Sequence, residues 1–214
     1  MLGPLLGYGS IGVHEALLPG SAEPVAVKVA EDSEEALKQL LHELHVYVGL
    51  LAGLQGEVVA QSPGSGFIQV PGGKLPFMAL SLLGPSLHDL VEPLKPEQEA
   101  AVMEGLQRIH AAGVLHNDLR PTNVVLPRDT AGSGASWQPL WIDFSHSQLV
   151  DRAEQCDRIF EAEQSECRRM LRELPSRNVQ HLQLGRYVAT TALSRGHRSC
   201  VLRPRPPIPK RLQC

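Results

Sequence analysis

The segment from His116 to Asn123, HNDLRPTN, has the spacing H-x-D-x-x-x-x-N and lies between a predicted helix and a predicted strand. Phosphoryl transfer needs a carboxylate that orients or deprotonates the attacking hydroxyl, and an oxygen ligand for a metal ion a few residues later. Asp118 and Asn123 match these two roles. A further acid, Asp143 in WIDFS, ends an apolar run and could bind Mg²⁺ there. The sequence therefore predicts a site for phosphoryl transfer.

A glycine-rich segment near the start of the chain could bind a polyphosphate. Gly7, Gly9 and Gly12 have the spacing G-x-G-x-x-G between two predicted strands, and glycine lets backbone N–H groups approach phosphate oxygens closely. The segment does not lead into a helix, which argues against a dinucleotide-binding fold.

Lys28 lies in the apolar run PVAVKV, sixteen residues after Gly12. A lysine on a buried strand needs anionic partners, and the phosphates of a nucleotide together with a carboxylate from the next helix would supply them. Glu43 in the helical segment LHEL is the candidate carboxylate. The alternative is a lysine on an edge strand that points to solvent.

Short strands and helices should position these residues. Residues 24–29 are predicted as a buried strand, and a helix should follow Ser33, its predicted N-cap, and end near residues 49–53. The apolar residues that predict the amphipathic face of this helix are Leu37, Leu40, Leu41, Leu44 and Val48. Residues 56–83 are predicted as strands interrupted at SPGSG and VPGGK.

The second half of the chain is predicted to be more helical. Pro96 should be the first residue of a helix. The apolar stripe of that helix comprises Ala101, Val102, Leu106 and Ile109. Residues 124–126 and 140–142 are predicted as two short strands, and residues 152–173 as another helix.

Composition limits the classes of function. Aromatic residues make up only 4% of the chain, so a nucleic-acid surface built on base stacking is poorly supplied, and we expect no nucleic-acid partner. No stretch reaches the length of a membrane-spanning helix, and the four cysteines lack zinc-site or disulfide-framework spacing. These features predict a cytoplasmic protein with reduced thiols and no membrane partner.

The end of the chain has a different character. Residues 176–214 carry eight Lys or Arg and no Asp or Glu, and they include the proline-rich segment RPRPPIPKR. This composition predicts a disordered tail. The alternative is a docking segment for an SH3-type partner.

The chemical motifs, in this order, resemble the protein kinase pattern of glycine-rich loop, V-A-I-K lysine, helix-C glutamate, H-R-D-x-x-x-x-N loop and D-F-G, over roughly residues 3–173. The resemblance implies an α+β, bilobal protein kinase-like fold. Residues 1–83 would form a small β-sheet N-lobe with helix C and the hinge, and residues 84–174 a reduced, mainly helical C-lobe. Residues 175–214 would be the tail.

The resemblance also implies Mg-ATP bound between the lobes. The implied catalytic residues are Asp118, Lys28, Arg120 and Glu43, and the implied metal ligands are Asn123 and Asp143. The implied ATP-binding residues are Gly7, Gly9, Ser10, Gly12, Val13, Ala26, Lys28, Leu80, Ser81, Leu83 and Val125. The implied regulatory spine is a stack of Tyr47, His116 and Phe144.

Two stretches suggest a finer relationship. Residues 82–90, LLGPSLHDL, are similar to the segment after the hinge of casein kinase 1-like enzymes. Residues 43–47 and 54–56, ELHVY and LQG, resemble the small fungal-type and algal protein kinase-like domains.

The chain departs from the kinase pattern at several positions. Asn117 replaces an arginine that pairs with a phosphorylated activation loop in many kinases, so control of that kind is not expected. Arg120 stands where serine/threonine kinases usually place a lysine, and Ser145 replaces the glycine of D-F-G. No A-P-E motif follows Phe144.

The resemblance implies a serine/threonine kinase that phosphorylates an unidentified protein. Two alternatives stay open. The shortened C-lobe is also compatible with a small-molecule kinase of the aminoglycoside phosphotransferase-like type. Ser145 and Asn117 are compatible with a nucleotide-binding pseudokinase or a truncated binding module.

Overall fold

A five-stranded antiparallel sheet is the largest element of the fold. The computed structural model describes residues 2–8, 11–30, 33–70, 73–127, 137–151 and 157–174, which all lie in one compact unit, Met1–Val179. The strands of the sheet are β1 (Leu2–Tyr8), β2 (Gly12–Leu17), β3 (Pro24–Val29), β4 (Gly64–Val70) and β5 (Gly73–Ser81). Their order is β1-β2-β3-β5-β4, so β3 lies at the centre. The predictions for Gly9, Ser10 and the tail fall outside the described residues.

Strand β3 is confirmed at its predicted bounds. Its side chains point alternately to the two faces of the sheet, which gives two sets with different surroundings. Val25, Val27 and Val29 are buried on one face, in a small cluster with Ala79 of β5. Because side chains alternate along a strand, Lys28 lies on the opposite face. That face packs toward the main core of the protein.

Helix α1 (Glu34–Val48) begins and ends where the sequence predicts. The Ser33 hydroxyl accepts a hydrogen bond from the Ala36 N–H at 3.0 Å, which makes Ser33 the N-cap. The helix ends at Gly49, whose N–H donates to the His45 carbonyl at 3.0 Å.

The buried face of α1 differs from the predicted one. Its buried residues are Ala36, Leu40, Glu43, Val46 and Tyr47. Three residues of the predicted apolar face are exposed instead: Leu37, Leu41 and Val48. The prediction was wrong there because the face with Ala36, Leu40, Val46 and Tyr47 packs into the main core, on the side where Glu43 pairs with Lys28 of β3.

The edge strand β4 includes residues that the sequence predicts as a break between strands. The glycine-rich part of SPGSG was expected to interrupt the strands, yet Gly64, Ser65 and Gly66 belong to β4 and pair with β5. Gly66 lies opposite Phe77, and an added Cβ there would lie 3.2 Å from the Phe77 ring. The absent side chain makes room for this ring, so a turn-like composition is compatible with a strand here.

In the described part of the second half of the chain, the main elements are two helices and two short strand pairs. Its elements are α2 (Pro96–Ala111), β6 (Val114–Leu115), β7 (Val124–Val125), β8 (Leu140–Trp141), β9 (Gln148–Leu149) and α3 (residues 157–174). The start of α2 at Pro96 and the short strands β7 and β8 are confirmed. Strands β6 and β9 pair with each other, as do β7 and β8, both antiparallel. No helix among these described elements is long and apolar enough to cross a membrane.

The main core anchors the loops that carry the candidate residues. From α2 it contains Val102, Leu106 and Ile109, and from α3 it contains Cys167, Met170, Leu171 and Leu174. Trp141 of β8 is fully buried against Gly105 of α2, where an added Cβ would lie only 3.1 Å from its indole nitrogen. This packing fixes the strand that leads directly into Asp143.

Candidate active site

Lys28 lies at the centre of the candidate site. Its Nζ donates to the two carboxylate oxygens of Glu43 at 2.8 and 2.7 Å and to Asp143 Oδ1 at 3.0 Å. Glu43 is fully buried and Lys28 nearly so. The predicted contact between Lys28 and Glu43 is therefore present. The alternative of an edge-strand lysine in solvent is wrong, because β3 lies between β2 and β5.

The charges of this cluster stabilise one another. Burial alone would lower the pKa of Lys28, but the fields of Glu43 and Asp143 outweigh it and raise the pKa above its ordinary value. Burial alone would raise the pKa of Asp143, but Lys28 outweighs it and lowers the pKa. Both groups are therefore charged at neutral pH.

Asp118 is held in the loop between β6 and β7 by two side chains. Asn123 Nδ2 donates to Asp118 Oδ2 at 2.8 Å and to the Asp118 carbonyl at 3.0 Å. The Arg120 guanidinium donates to the same Oδ2 and lies 3.8 Å from Asp143 Oδ2. Arg120 thus connects Asp118 with Asp143, and the structure brings together all six predicted catalytic and metal-binding residues.

The turn after β8 presents Asp143 in an uncommon backbone conformation. Asp143 has a φ of 67°, in the left-handed region. Ser145 Oγ donates to Asp143 Oδ1 at 2.9 Å, and the Phe144 N–H donates to Glu43 Oε1 at 3.2 Å. Since the positive φ falls on Asp143, the serine at position 145 does not occupy a conformation that requires glycine.

The three rings that the resemblance implies as a regulatory spine, Tyr47, His116 and Phe144, are buried and pack in series next to the site. The Phe144 ring lies 5.4 Å from Tyr47, edge to face, and 4.7 Å from His116. His116 Nε2 donates to the Ile142 carbonyl at 3.0 Å, and burial lowers the pKa of the imidazole, which keeps it neutral. Its Nδ1 has no hydrogen-bond partner in the part of the chain that the structure describes.

Glu163 of α3 is a site residue that sequence reasoning missed. Its carboxylate accepts hydrogen bonds from the backbone N–H of Asn117 at 2.7 Å and of His116 at 3.2 Å. His110 Nε2 donates to it at 2.6 Å, and Phe160 stacks on the His110 ring at 4.5 Å. Glu163 therefore anchors the backbone of the loop that carries Asp118.

One sequence signal could have revealed this anchor, and the backbone of Asn117 agrees with it. Glu163 occupies a position of the buried stripe of α3 that Cys167 and Met170 continue, and an acid at such a position needs partners. Asn117 has a φ of 58°, a conformation that asparagine adopts more readily than most residues. The asparagine that replaces arginine therefore suits the turn that directs two N–H groups at Glu163.

Replacing Glu163 with glutamine should destabilise the protein by roughly 2–4 kcal/mol at pH 7, because a buried, multiply bonded carboxylate is lost. Burial alone would raise the pKa of Glu163, but its bonds to His110 and two N–H groups lower it. The lowered pKa means that this stabilisation is complete above the ordinary pKa of glutamate and is lost as pH falls through the folded-state value.

Urea denaturation at pH 7 and at pH 3.5 measures this effect, with the exposed Glu166→Gln as the matched control. We expect the difference between wild type and Glu163→Gln to shrink at the lower pH. A difference that stays constant with pH would contradict the anchoring role of the carboxylate.

The described residues among the predicted nucleotide-binding set lie on β1, β2, β3 and β5, directly after β5 and on β7. Gly7 lies near the end of β1, and Gly12 and Val13 begin β2. Val13 lies opposite Lys28 of β3. Ala26 pairs with Leu80, and Ser81 pairs with the neighbouring Val25. Leu83 follows β5. The N–H of the next residue, Gly84, donates to the carbonyl of Leu126 at 2.8 Å, and Leu126 directly follows Val125. Their contact with a nucleotide stays a prediction.

Two oxygen atoms suit a hard divalent cation. Asp143 Oδ1 is used by Lys28 and Ser145, and the described bonds of the Asn123 side chain use its Nδ2. The oxygens left for a metal are Asn123 Oδ1 and Asp143 Oδ2, which also lies 3.8 Å from the Arg120 guanidinium. Mg²⁺ typically takes one or two protein oxygens and completes its shell with phosphates and water, and its binding here stays a prediction. Within the described residues, no group of three His, Cys, Asp or Glu forms a metal cluster.

Comparison with known proteins points to one class of enzyme. The chain is similar to serine/threonine-protein kinase PkaB of Streptomyces coelicolor, 31% identical over 155 residues, which cover 69% of this chain and 36% of PkaB. It is also similar to serine/threonine-protein kinase AfsK of that organism, 30% identical over 138 residues, covering 58% of this chain and 16% of AfsK. Serine/threonine-protein kinase PkaA of that organism is 33% identical over 87 residues, covering 37% of this chain and 15% of PkaA.

The chain thus spans about a third of PkaB and about a sixth of AfsK and PkaA. No family model matches it. The partial matches, together with the order of the residues in the site, support a relationship of this chain to the protein kinase-like superfamily.

Proposed function

We propose that this chain is a protein serine/threonine kinase that transfers the γ-phosphate of Mg-ATP to a protein hydroxyl. One observation carries the proposal: the buried Lys28 ammonium is held between the carboxylates of Glu43 and Asp143. Lys28 and Asp143 are 115 residues apart in sequence. A buried lysine that retains its charge beside a carboxylate with a lowered pKa is suited to bind phosphate and metal together.

The residues around Lys28 would position the nucleotide. When bound, Mg-ATP would supply the phosphoryl group and the cation that neutralises its charge. Lys28 would orient the phosphates, and Asp143 with Asn123 would hold the metal through their remaining oxygens. The backbone of the glycine loop, Gly7 to Gly12, would cover the phosphates. The residues proposed to bind the adenine are Val13, Ala26, Leu80, Ser81, Leu83 and Val125.

Asp118 would orient the acceptor hydroxyl and accept its proton. Asn123 and Arg120 fix the carboxylate, so its position does not depend on the acceptor. A cavity of about 480 Å³ lies beside Asp118, between this loop and α3, with the exposed Ile159 and Ala162 in its wall. We propose this cavity as the entrance for the acceptor.

The first test is nucleotide binding. At Mg-ATP concentrations about 100-fold above Kd, linkage predicts about 2.7 kcal/mol of stabilisation, a rise of roughly 5 °C or more in the thermal midpoint. Asp143→Asn should lose most of this rise because the metal ligand is weakened, and chelation of Mg²⁺ should have the same effect. The exposed Asp157→Asn is the control and should match the wild type. A wild-type midpoint that does not respond to Mg-ATP would contradict the proposal.

A further inference from the structure

His42 of α1 binds the far end of the turn that carries Asp143. Its Nε2 lies 2.8 Å from the Ser147 carbonyl oxygen and 3.0 Å from Ser147 Oγ. Ser147 is buried and His42 is half-buried. The sequence motifs did not single out either residue for this contact, which joins positions 105 residues apart.

The partners of Ser147 determine the direction of these hydrogen bonds. A carbonyl oxygen only accepts, so His42 Nε2 must carry the proton and donate it. Ser147 Oγ donates its own proton to the Phe144 carbonyl at 2.7 Å, so towards His42 it also acts as an acceptor. The Nε2–H of His42 is therefore shared between two oxygens of one residue, and it is present in both the neutral Nε2–H imidazole and the imidazolium.

His42 and Glu43 are neighbours on α1, and they hold opposite ends of the same turn. Glu43 Oε1 accepts from the Phe144 N–H at 3.2 Å, while His42 donates to Ser147. The turn is closed internally by the Ser147 N–H, which donates to the Phe144 carbonyl at 3.1 Å. Asp143 directly precedes this turn, so two adjacent residues of one helix hold the segment that follows it.

We infer that His42 is a positioning residue for phosphoryl transfer, because its bond to Ser147 holds the turn of residues 144–147 against α1 and so keeps Asp143 beside Lys28. The inference rests on the proposed function. It extends to the regulation of this site: the contact between helix and turn is made by hydrogen-bonding groups of the chain itself, so the active arrangement would form without a phosphorylated loop. Asn117, where many kinases have the arginine that binds such a loop, fits this account.

The test compares three substitutions on α1 by steady-state kinetics. His42→Leu removes the donor and keeps the bulk, while His42→Gln retains an N–H at a similar distance along the side chain. His45→Leu is the matched control, because His45 is an exposed histidine on the same helix. We expect kcat to fall about tenfold in His42→Leu, the scale of one lost hydrogen bond in the transition state, with the KM for ATP changed less than about threefold.

The positioning role would be supported if His42→Gln recovers a kcat within about threefold of the wild type and His45→Leu is unaffected. The positioning role would be overturned if His42→Leu had the same kcat as the wild type. It would also be overturned if kcat fell equally in His42→Leu and His42→Gln. Failure of the proposed function would look different, because the wild type itself would then transfer no phosphate.

Phosphatase treatment tests the regulatory part. Wild-type protein treated with a protein phosphatase, and shown by mass spectrometry to carry no phosphate, should keep its kcat. A loss of more than about tenfold after treatment, restored by rephosphorylation, would overturn the inference that the arrangement forms without phosphorylation.

Discussion

Replacing Asp118 with asparagine should reduce phosphoryl transfer by about 10³-fold while leaving Mg-ATP binding intact. Asparagine has nearly the same shape and can still accept the bond from Asn123 Nδ2, so the loop should keep its conformation. It cannot take the proton of the acceptor hydroxyl. Arg120 is more than half exposed, and the loss of its exposed ion pair should change stability by no more than about 1 kcal/mol.

Initial rates of transfer from [γ-³²P]ATP, together with the thermal midpoint in Mg-ATP, separate these two effects. Asp157→Asn is the matched control, because it removes an exposed carboxylate of α3 that does not line the cavity beside Asp118. A variant Asp118→Asn that retains more than a tenth of the wild-type rate would rule out the role of this carboxylate in proton transfer.

Replacing Lys28 with methionine should remove both nucleotide binding and a large part of the stability. The substitution leaves the fully buried Glu43 without its cationic partner, and breaking a buried ion pair by removing one side costs about 3–5 kcal/mol. Since methionine has no charge for the phosphates, the midpoint should no longer rise in Mg-ATP. Urea denaturation and the thermal shift measure the two losses separately.

A double variant distinguishes these two contributions of Lys28. In Lys28→Met with Glu43→Gln, the buried negative charge is gone and the amide oxygen can still accept from the Phe144 N–H, so much of the lost stability should return. Nucleotide binding should stay lost. If the double variant were no more stable than Lys28→Met alone, the buried charge would not be the source of the destabilisation.

The catalytic loop could be predicted from the sequence because its residues are local. Asp118 and Asn123 lie within one run of eight residues, and the short-range bonds between their side chains are a consequence of that spacing. The glycine loop, the strand with Lys28 and the turn with Asp143 are local motifs of the same kind. Their order along the chain was enough to predict which elements carry them.

The rotation of α1 could not be predicted, because the helix is rich in leucine on two overlapping faces. Periodicity identifies an amphipathic helix, but it favoured the face with Leu37 and Leu41 over the face with Glu43. In the structure the face with Ala36, Leu40, Val46 and Tyr47 enters the core together with Glu43, and the two leucines are exposed. Contacts with distant elements decide which face is buried, and periodicity along the helix does not show them.

Glu163 and His42 were missed for a related reason. Each acts on backbone groups far away in sequence, Glu163 on the loop of Asp118 and His42 on the turn after Asp143. Neither has a characteristic spacing relative to the group it holds, since that distance depends on the length of the intervening chain. The position of Glu163 in the buried stripe of α3 indicates that it needs partners, but which groups Glu163 and His42 hold becomes visible only when the elements are packed together.

The most direct test of the central claim is Mg²⁺-dependent transfer of ³²P from [γ-³²P]ATP to a generic protein acceptor by the wild-type chain, beside Asp118→Asn. The account predicts phosphoserine or phosphothreonine in the acceptor with the wild type, and at most a trace with the variant. If the wild type responds to Mg-ATP in its thermal midpoint but labels no acceptor above the level of Asp118→Asn, the chain binds nucleotide without transferring phosphate, and the kinase proposal is contradicted.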